Sequence, residues 1–107
     1  MVKEVNRDNF ESETLQSKGA ILVDFWGPQC RPCLALMPAV EKLEQEYAGR
    51  LKIIKVNAVE NRMLCAKLRV LSLPTFLVYK DGVEMNRLVG DHLTRNHLVE
   101  AIDAAVI

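Results

Sequence analysis

Ala20-Ile21-Leu22-Val23-Asp24-Phe25-Trp26-Gly27-Pro28-Gln29-Cys30-Arg31-Pro32-Cys33 decides how the rest of the chain is read. Seven residues, apolar except for one acid and rich in β-branched types, fit a strand buried on both faces, as in a parallel sheet. A short turn then carries the chain to two cysteines three positions apart. The apolar stripe Leu36, Val40, Leu43 and Tyr47, opposed by Glu41, Lys42, Glu44 and Gln45, marks a helix over about 31–48. Pro38 removes one of its internal hydrogen bonds and predicts a kink. Two cysteines at this spacing on a first helical turn lie close enough for their sulfurs to bond. Cys30 stands at the open end, where unpaired N–H groups and the helix dipole stabilise a thiolate. Cys33 lies a turn inward and is shielded, and Pro32 fits the first turn because its missing N–H costs nothing there. A C-x-x-C after a strand in an alternating α/β pattern reads as a redox dithiol.

Outward from this centre the segments alternate in type. Val2 to Val5 reads as an edge strand, and Asn6 is placed to cap a helix over 7–17 that buries Phe10 and Leu15. Lys52 to Asn57 is a strand, followed by a helix near 61–69. Thr75 to Lys80, Asp81-Gly82 and Val83 to Val89 form a hairpin, since Asp-Gly supplies the positive φ its turn requires. Thr94 caps a last helix that turns Leu98, Ile102 and Ala105 inward. The order βαβαβαββα predicts an α/β fold, a parallel core with an antiparallel hairpin in one central sheet, covered by helices on both faces. The 107 residues suffice for one domain, 1–107, and a core that needs no staples.

Fourteen Lys and Arg balance fourteen Asp and Glu, and the cations are scattered. That argues against a nucleic-acid binder, which needs a basic patch to displace counterions. No apolar run approaches the roughly 20 residues of a bilayer span. Met1 to Arg7 carries no apolar leader, and three cysteines make an odd set, so a cytoplasmic protein with a redox-active disulfide is expected. Thiolates at this spacing also fit half a zinc site. The other candidate ligands, Cys65, His92 and His97, form no paired motif. Cys65, among Leu64, Ala66 and Leu68, reads as a small buried hydrophobe, and the two histidines as solvated.

These landmarks resemble the thioredoxin family along essentially the whole chain. The family's W-C-G-P-C stands here as Gln29-Cys30-Arg31-Pro32-Cys33, preceded by Asp24-Phe25-Trp26. Pro38, Lys55, Leu73-Pro74-Thr75 and Val89-Gly90 match without gaps. The resemblance implies protein disulfide reduction by a monomer with no bound cofactor. Cys30 would attack a client disulfide and Cys33 would resolve the mixed disulfide. Asp24 would be a buried acid beneath them, exchanging a proton with Cys33, and Lys55 its charge partner. Burial by itself raises the pKa of such an acid and suits it to proton transfer. Leu73-Pro74 would carry a cis peptide that leaves the adjacent backbone free to pair with an extended client. Trp26, Gln29, Leu73, Pro74 and Gly90 would bind that client. A thioredoxin reductase using NADPH would restore the dithiol.

Three residues depart from the family pattern. Gln29 replaces an aromatic residue beside the nucleophile, and Leu34 replaces a common lysine after Cys33. Arg31 replaces glycine: a guanidinium near the Cys30 sulfur favours the thiolate and is expected to raise the redox potential by about 30 mV. With Gln29, it also suggests a specialised reductase with a single client. A non-catalytic subunit using the same groove is the alternative outside redox chemistry.

Overall fold

A computed structural model describes residues 1–107. In chain order the elements are β1 (Lys3–Glu4), α1 (Phe10–Glu13), β2 (Ala20–Trp26), α2 (Arg31–Glu46), β3 (Leu51–Asn57), α3 (Arg62–Leu68), β4 (Thr75–Lys80), β5 (Val83–Val89) and α4 (Arg95–Val106). The predicted order and the bounds of β2, β4 and β5 are those observed. The five strands form one sheet in the order β1-β3-β2-β4-β5. β3 runs parallel to β1 and β2, while β4 runs antiparallel to β2 and β5.

The side-chain alternation of β2 divides the core. Leu22 packs with Val40 and Leu43 of α2 and with Leu98 and Ile102 of α4 on one face. Ile21, Val23 and Phe25 face the other way, onto Phe10 of α1 and Leu64 and Cys65 of α3. Because successive side chains point to opposite faces, an uninterrupted apolar strand is what a sheet covered on both sides demands. Asp24 therefore belongs to the face that α2 covers, four residues along from Ala20 of the same core cluster.

The first helix differs from expectation. It is a single turn, Phe10–Glu13, preceded by Asn9 rather than Asn6. Side chains here compete with the helix for backbone partners: Asp8 N–H donates to Asn6 Oδ1 (2.8 Å), and Asn6 N–H to Asn9 Oδ1 (2.9 Å). At the far end the buried Thr14 hydroxyl donates to the Phe10 carbonyl (2.7 Å) as the backbone leaves helical geometry. Phe10 is buried as predicted, but Leu15 lies beyond the turn and is 44% exposed. The 81–82 turn packs against the Leu15 backbone so closely that a Cβ on Gly82 would lie 2.4 Å from its carbonyl oxygen. Gly82 also has φ +82°, so the position is closed to side chains for two reasons.

Arg87 joins β5 to the end of α3. Its guanidinium donates to the carbonyls of Leu68 and Arg69, both at 2.9 Å, while Glu84 holds it from the other side. Those carbonyls belong to a helix that ends with Arg69 in the left-handed conformation, so Arg87 fixes the approach to residues 70–74. At α4, the Thr94 N–H donates to Nδ1 of the exposed His97 (2.9 Å), which gives this histidine a capping role.

Candidate active site

The end of β2, the first turn of α2 and the bend before β4 meet at one edge of the molecule. Cys30 is the N-cap of α2, in extended geometry (φ −91°, ψ 98°), with its N–H tied back to the Gly27 carbonyl at 3.0 Å. Its sulfur accepts the Cys33 N–H at 3.3 Å, so a backbone donor at the positive end of a 16-residue helix points at the sulfur. Cys30 and Cys33 form a disulfide across a Cα–Cα distance of 5.2 Å. Cys33 is 1% exposed, whereas Cys30 is half-buried, so only one sulfur faces an approaching molecule. Arg31, Gln29 and Leu34 stand exposed around it, and Pro32 lies in the first turn.

Leu73-Pro74 is a cis peptide. Its bend is braced by the Thr75 hydroxyl, which donates to the Ser72 carbonyl at 2.7 Å. The Pro74 carbonyl accepts the Gly90 N–H at 3.1 Å, joining the bend to the end of β5. A Cβ on Gly27 would lie 3.2 Å from Leu73 Cδ1, so the loop before Cys30 rests on the residue before the proline. Gly90 has φ +122°, and a Cβ there would meet the His92 ring at 2.7 Å. Gly27, Leu73, Pro74 and Gly90 thus meet at the bend, where Gly27 and Pro74 are buried and only Leu73 and Gly90 are partly exposed. Trp26 stands on its other flank, toward β3 and β1, where its indole N–H donates to Glu4 Oε2 at 3.2 Å.

Asp24 is 2% exposed and its Oδ1 has no hydrogen-bond partner. Burial is the main reason its pKa rises to about 7; Lys55 pulls against that rise and Glu4 adds to it. Lys55 stands beside Asp24 in the β2–β3 register, yet the two form no ion pair within 4 Å. Its ammonium instead lies 5.6 Å from the centre of the Trp26 ring, a cation–π arrangement. A half-solvated lysine keeps more of its hydration there than it would against a buried carboxylate.

Sequence reasoning missed two features. A cleft of about 370 Å³, lined by Val59, Arg62, Cys65, Val70, Leu71 and Leu73, continues the Leu73 surface toward α3. Leu71 is 86% exposed at its rim, a signal legible in the run Val70-Leu71-Ser72-Leu73. The other is Glu4, whose contact with Trp26 joins residues 22 positions apart. Cys65 is a free thiol whose pKa is pushed up by burial. His92 and His97 are exposed and meet edge to face. No three metal-binding side chains gather anywhere, and no helix is long and apolar enough to cross a membrane.

The thioredoxin family model matches residues 1–104. A thioredoxin of Acetoanaerobium sticklandii is 41% identical over 91 residues, 85% of this chain and 87% of its own. The thioredoxin of Bacillus subtilis is 44% identical over 82 residues, 77% of each chain. That of Peptoclostridium acidaminophilum is 37% identical over 106 residues, covering 99% of this chain and 93% of its own. With the mixed five-stranded sheet and a bonded cysteine pair at the head of α2, these matches place the chain in the thioredoxin family, as a protein thiol–disulfide oxidoreductase of the protein-disulfide reductase type.

Proposed function

We propose that Cys30 is the nucleophile and Cys33 the resolving thiol of a general protein-disulfide reductase working as a monomeric domain, residues 1–107, in the cytoplasm. The observation that carries this assignment is the asymmetry of the pair. Cys30 is the more accessible sulfur and accepts the helix N–H, and Cys33 is enclosed. The Cys30 thiolate attacks one sulfur of a client disulfide and expels the other as a thiolate, leaving a Cys30–client mixed disulfide. The Asp24 carboxylate takes the Cys33 proton, and the Cys33 thiolate attacks Cys30 Sγ. The client's second thiolate departs, two electrons have passed to the client, and the Cys30–Cys33 disulfide remains. No resident cofactor enters these steps. An NADPH-dependent flavoprotein, a thioredoxin reductase, returns the dithiol.

The client lies across Gln29, Leu73, Pro74 and Gly90 as an extended segment, with Trp26 at the far flank. Peptide groups beside the Leu73-Pro74 bend pair with its backbone, which suits a reductase with many clients because backbone pairing is indifferent to sequence. Lys55 acts on Asp24 through its field rather than through contact. Reduction of a protein disulfide with a chemical reductant as electron source tests the reading. Cys30→Ser combined with Cys33→Ser abolishes turnover, by at least about 10³-fold. Undiminished activity of the double variant contradicts the reading, since it would mean that the electrons reach the client without Cys30 and Cys33.

Arg31 is exposed beside the nucleophile, and tuning is its proposed part. It favours the Cys30 thiolate and hence the reduced form, making the couple more oxidising. Arg31→Gly is expected to lower the potential by about 30 mV, equivalent to about 1.4 kcal/mol for two electrons. Equilibration with glutathione measures it, and an unchanged or higher potential removes Arg31 from the mechanism.

A further inference from the structure

Glu4, Lys55 and Asp24 form a row across three adjacent strands. The parallel register sets Glu4 beside Lys55 and Lys55 beside Asp24, so the three side chains share the sheet face covered by α2. Charge alternates along the row, from an exposed acid through a half-buried cation to a buried acid. Lys55 could pair with either neighbour and pairs with neither; its ammonium sits over the Trp26 ring, whose edge Glu4 holds by accepting the indole N–H at 3.2 Å. The buried carboxylate is thereby left without its nearest cation, and its Oδ1 without a partner.

We propose that Glu4 is a positioning residue for proton transfer at Asp24: it clamps the Trp26 indole and shares the field of Lys55, so that the lysine does not close an ion pair with the buried carboxyl. This rests on the reading of Asp24 as proton acceptor for Cys33. Closing that pair would favour the carboxylate and make it a weaker base. The other groups on this face do not substitute for Glu4. Phe76 of β4, opposite Asp24, carries no charge, and the cysteines of α2 are joined. Arg31, Glu41, Lys42, Glu44 and Glu46 of α2 and Arg95, His97, Glu100 and Asp103 of α4 leave Lys55 and Glu4 as the charges that act on Asp24. Glu4 lies on an edge strand outside the cysteine motif, so it can differ without disturbing the dithiol.

Glu4→Gln tests the proposal, because glutamine keeps an acceptor for the indole N–H while removing the charge. The Asp24 carboxyl is followed by carbon-13 NMR against pH in the disulfide form, and the pH profile of client release is followed in turnover. Two strand spacings separate the acids by roughly 10 Å, so the titration midpoint should fall by about half a pH unit, with the rate profile moving the same way. Glu4→Ala, which also loses the clamp, should move it further in the same direction. Glu41→Gln, an equal charge change on the exposed side of α2, should leave the midpoint in place. An unmoved midpoint in Glu4→Gln, or an equal movement in Glu41→Gln, overturns the proposal. A moved midpoint with an unmoved rate profile overturns the role in turnover. Because the carboxyl is read in the resting disulfide, a wild-type protein that fails to reduce disulfides would defeat the proposed function while the Glu4 titration still gives its own answer.

Discussion

Asp24→Asn should stabilise the oxidised protein by about 4 kcal/mol at pH 8.5 and by little at pH 4. The carboxyl is buried and its pKa rises from 3.8 to about 7, roughly three pH units at about 1.36 kcal/mol each. The native state holds this proton more tightly than the unfolded chain does. The associated stability is therefore fully present below the unfolded value, near pH 4, and is lost as pH rises through about 7. Asparagine has no such dependence, so the difference between the two proteins grows across that window and levels off above it. Urea unfolding at several pH values, with unchanged m-values, measures it. A difference that stays flat with pH would mean that Asp24 is ionised in the folded protein throughout. The same substitution should slow client release by about 10²-fold at pH 7, since it removes the proton acceptor. A costly buried acid persists where activity needs it.

Cys33→Ser should arrest the reaction halfway. Cys30 still attacks, but nothing inside the protein resolves the product. A one-to-one covalent adduct with an oxidised client should accumulate, stable to denaturant and released by dithiothreitol. Net turnover should fall by at least about 10³-fold, limited by rescue from external thiol. Cys30→Ser should form no adduct, because the remaining Cys33 is 1% exposed and cannot reach a client sulfur. An adduct formed by Cys30→Ser and not by Cys33→Ser would reverse the two roles.

Local patterns carried most of the fold. β2 was legible because a strand covered on both faces needs an uninterrupted apolar run, and the β4–β5 hairpin because Asp81 and Gly82 both take positive φ at its turn (50° and 82°). The first helix is a single turn, Phe10–Glu13, shorter than its composition suggests. The Asn6–Asn9 segment has a helix-start composition, but its side chains satisfy their own backbone, a competition that periodicity does not report. Leu15, which a longer helix would turn inward, lies beyond the turn and is exposed.

At the site, the dithiol is a property of consecutive residues and stands out in the sequence. The cis Leu73-Pro74 bond is expected only from the family resemblance, since an X-Pro bond taken alone is usually trans. Contacts between distant residues do not stand out. That Lys55 turns to Trp26 instead of pairing with Asp24, and that Glu4 holds the indole, follow from how three strands align. Register is set by the whole sheet, so no short window of sequence contains it. The cleft beside Leu73 arises in the same way, where the end of α3 meets the bend before β4.

The proposed function makes Cys30 and Cys33 one two-electron couple and leaves Cys65 apart from it. Equilibration in dithiothreitol buffers of graded potential, followed by alkylation and peptide mass spectrometry, scores each cysteine separately. Cys30 and Cys33 should convert together along a single two-electron curve, at a potential below that of the glutathione pool, with Cys65 a free thiol at every potential. Separate conversion of the two, or a disulfide that includes Cys65, would overturn the assignment of Cys30 and Cys33 as the working pair.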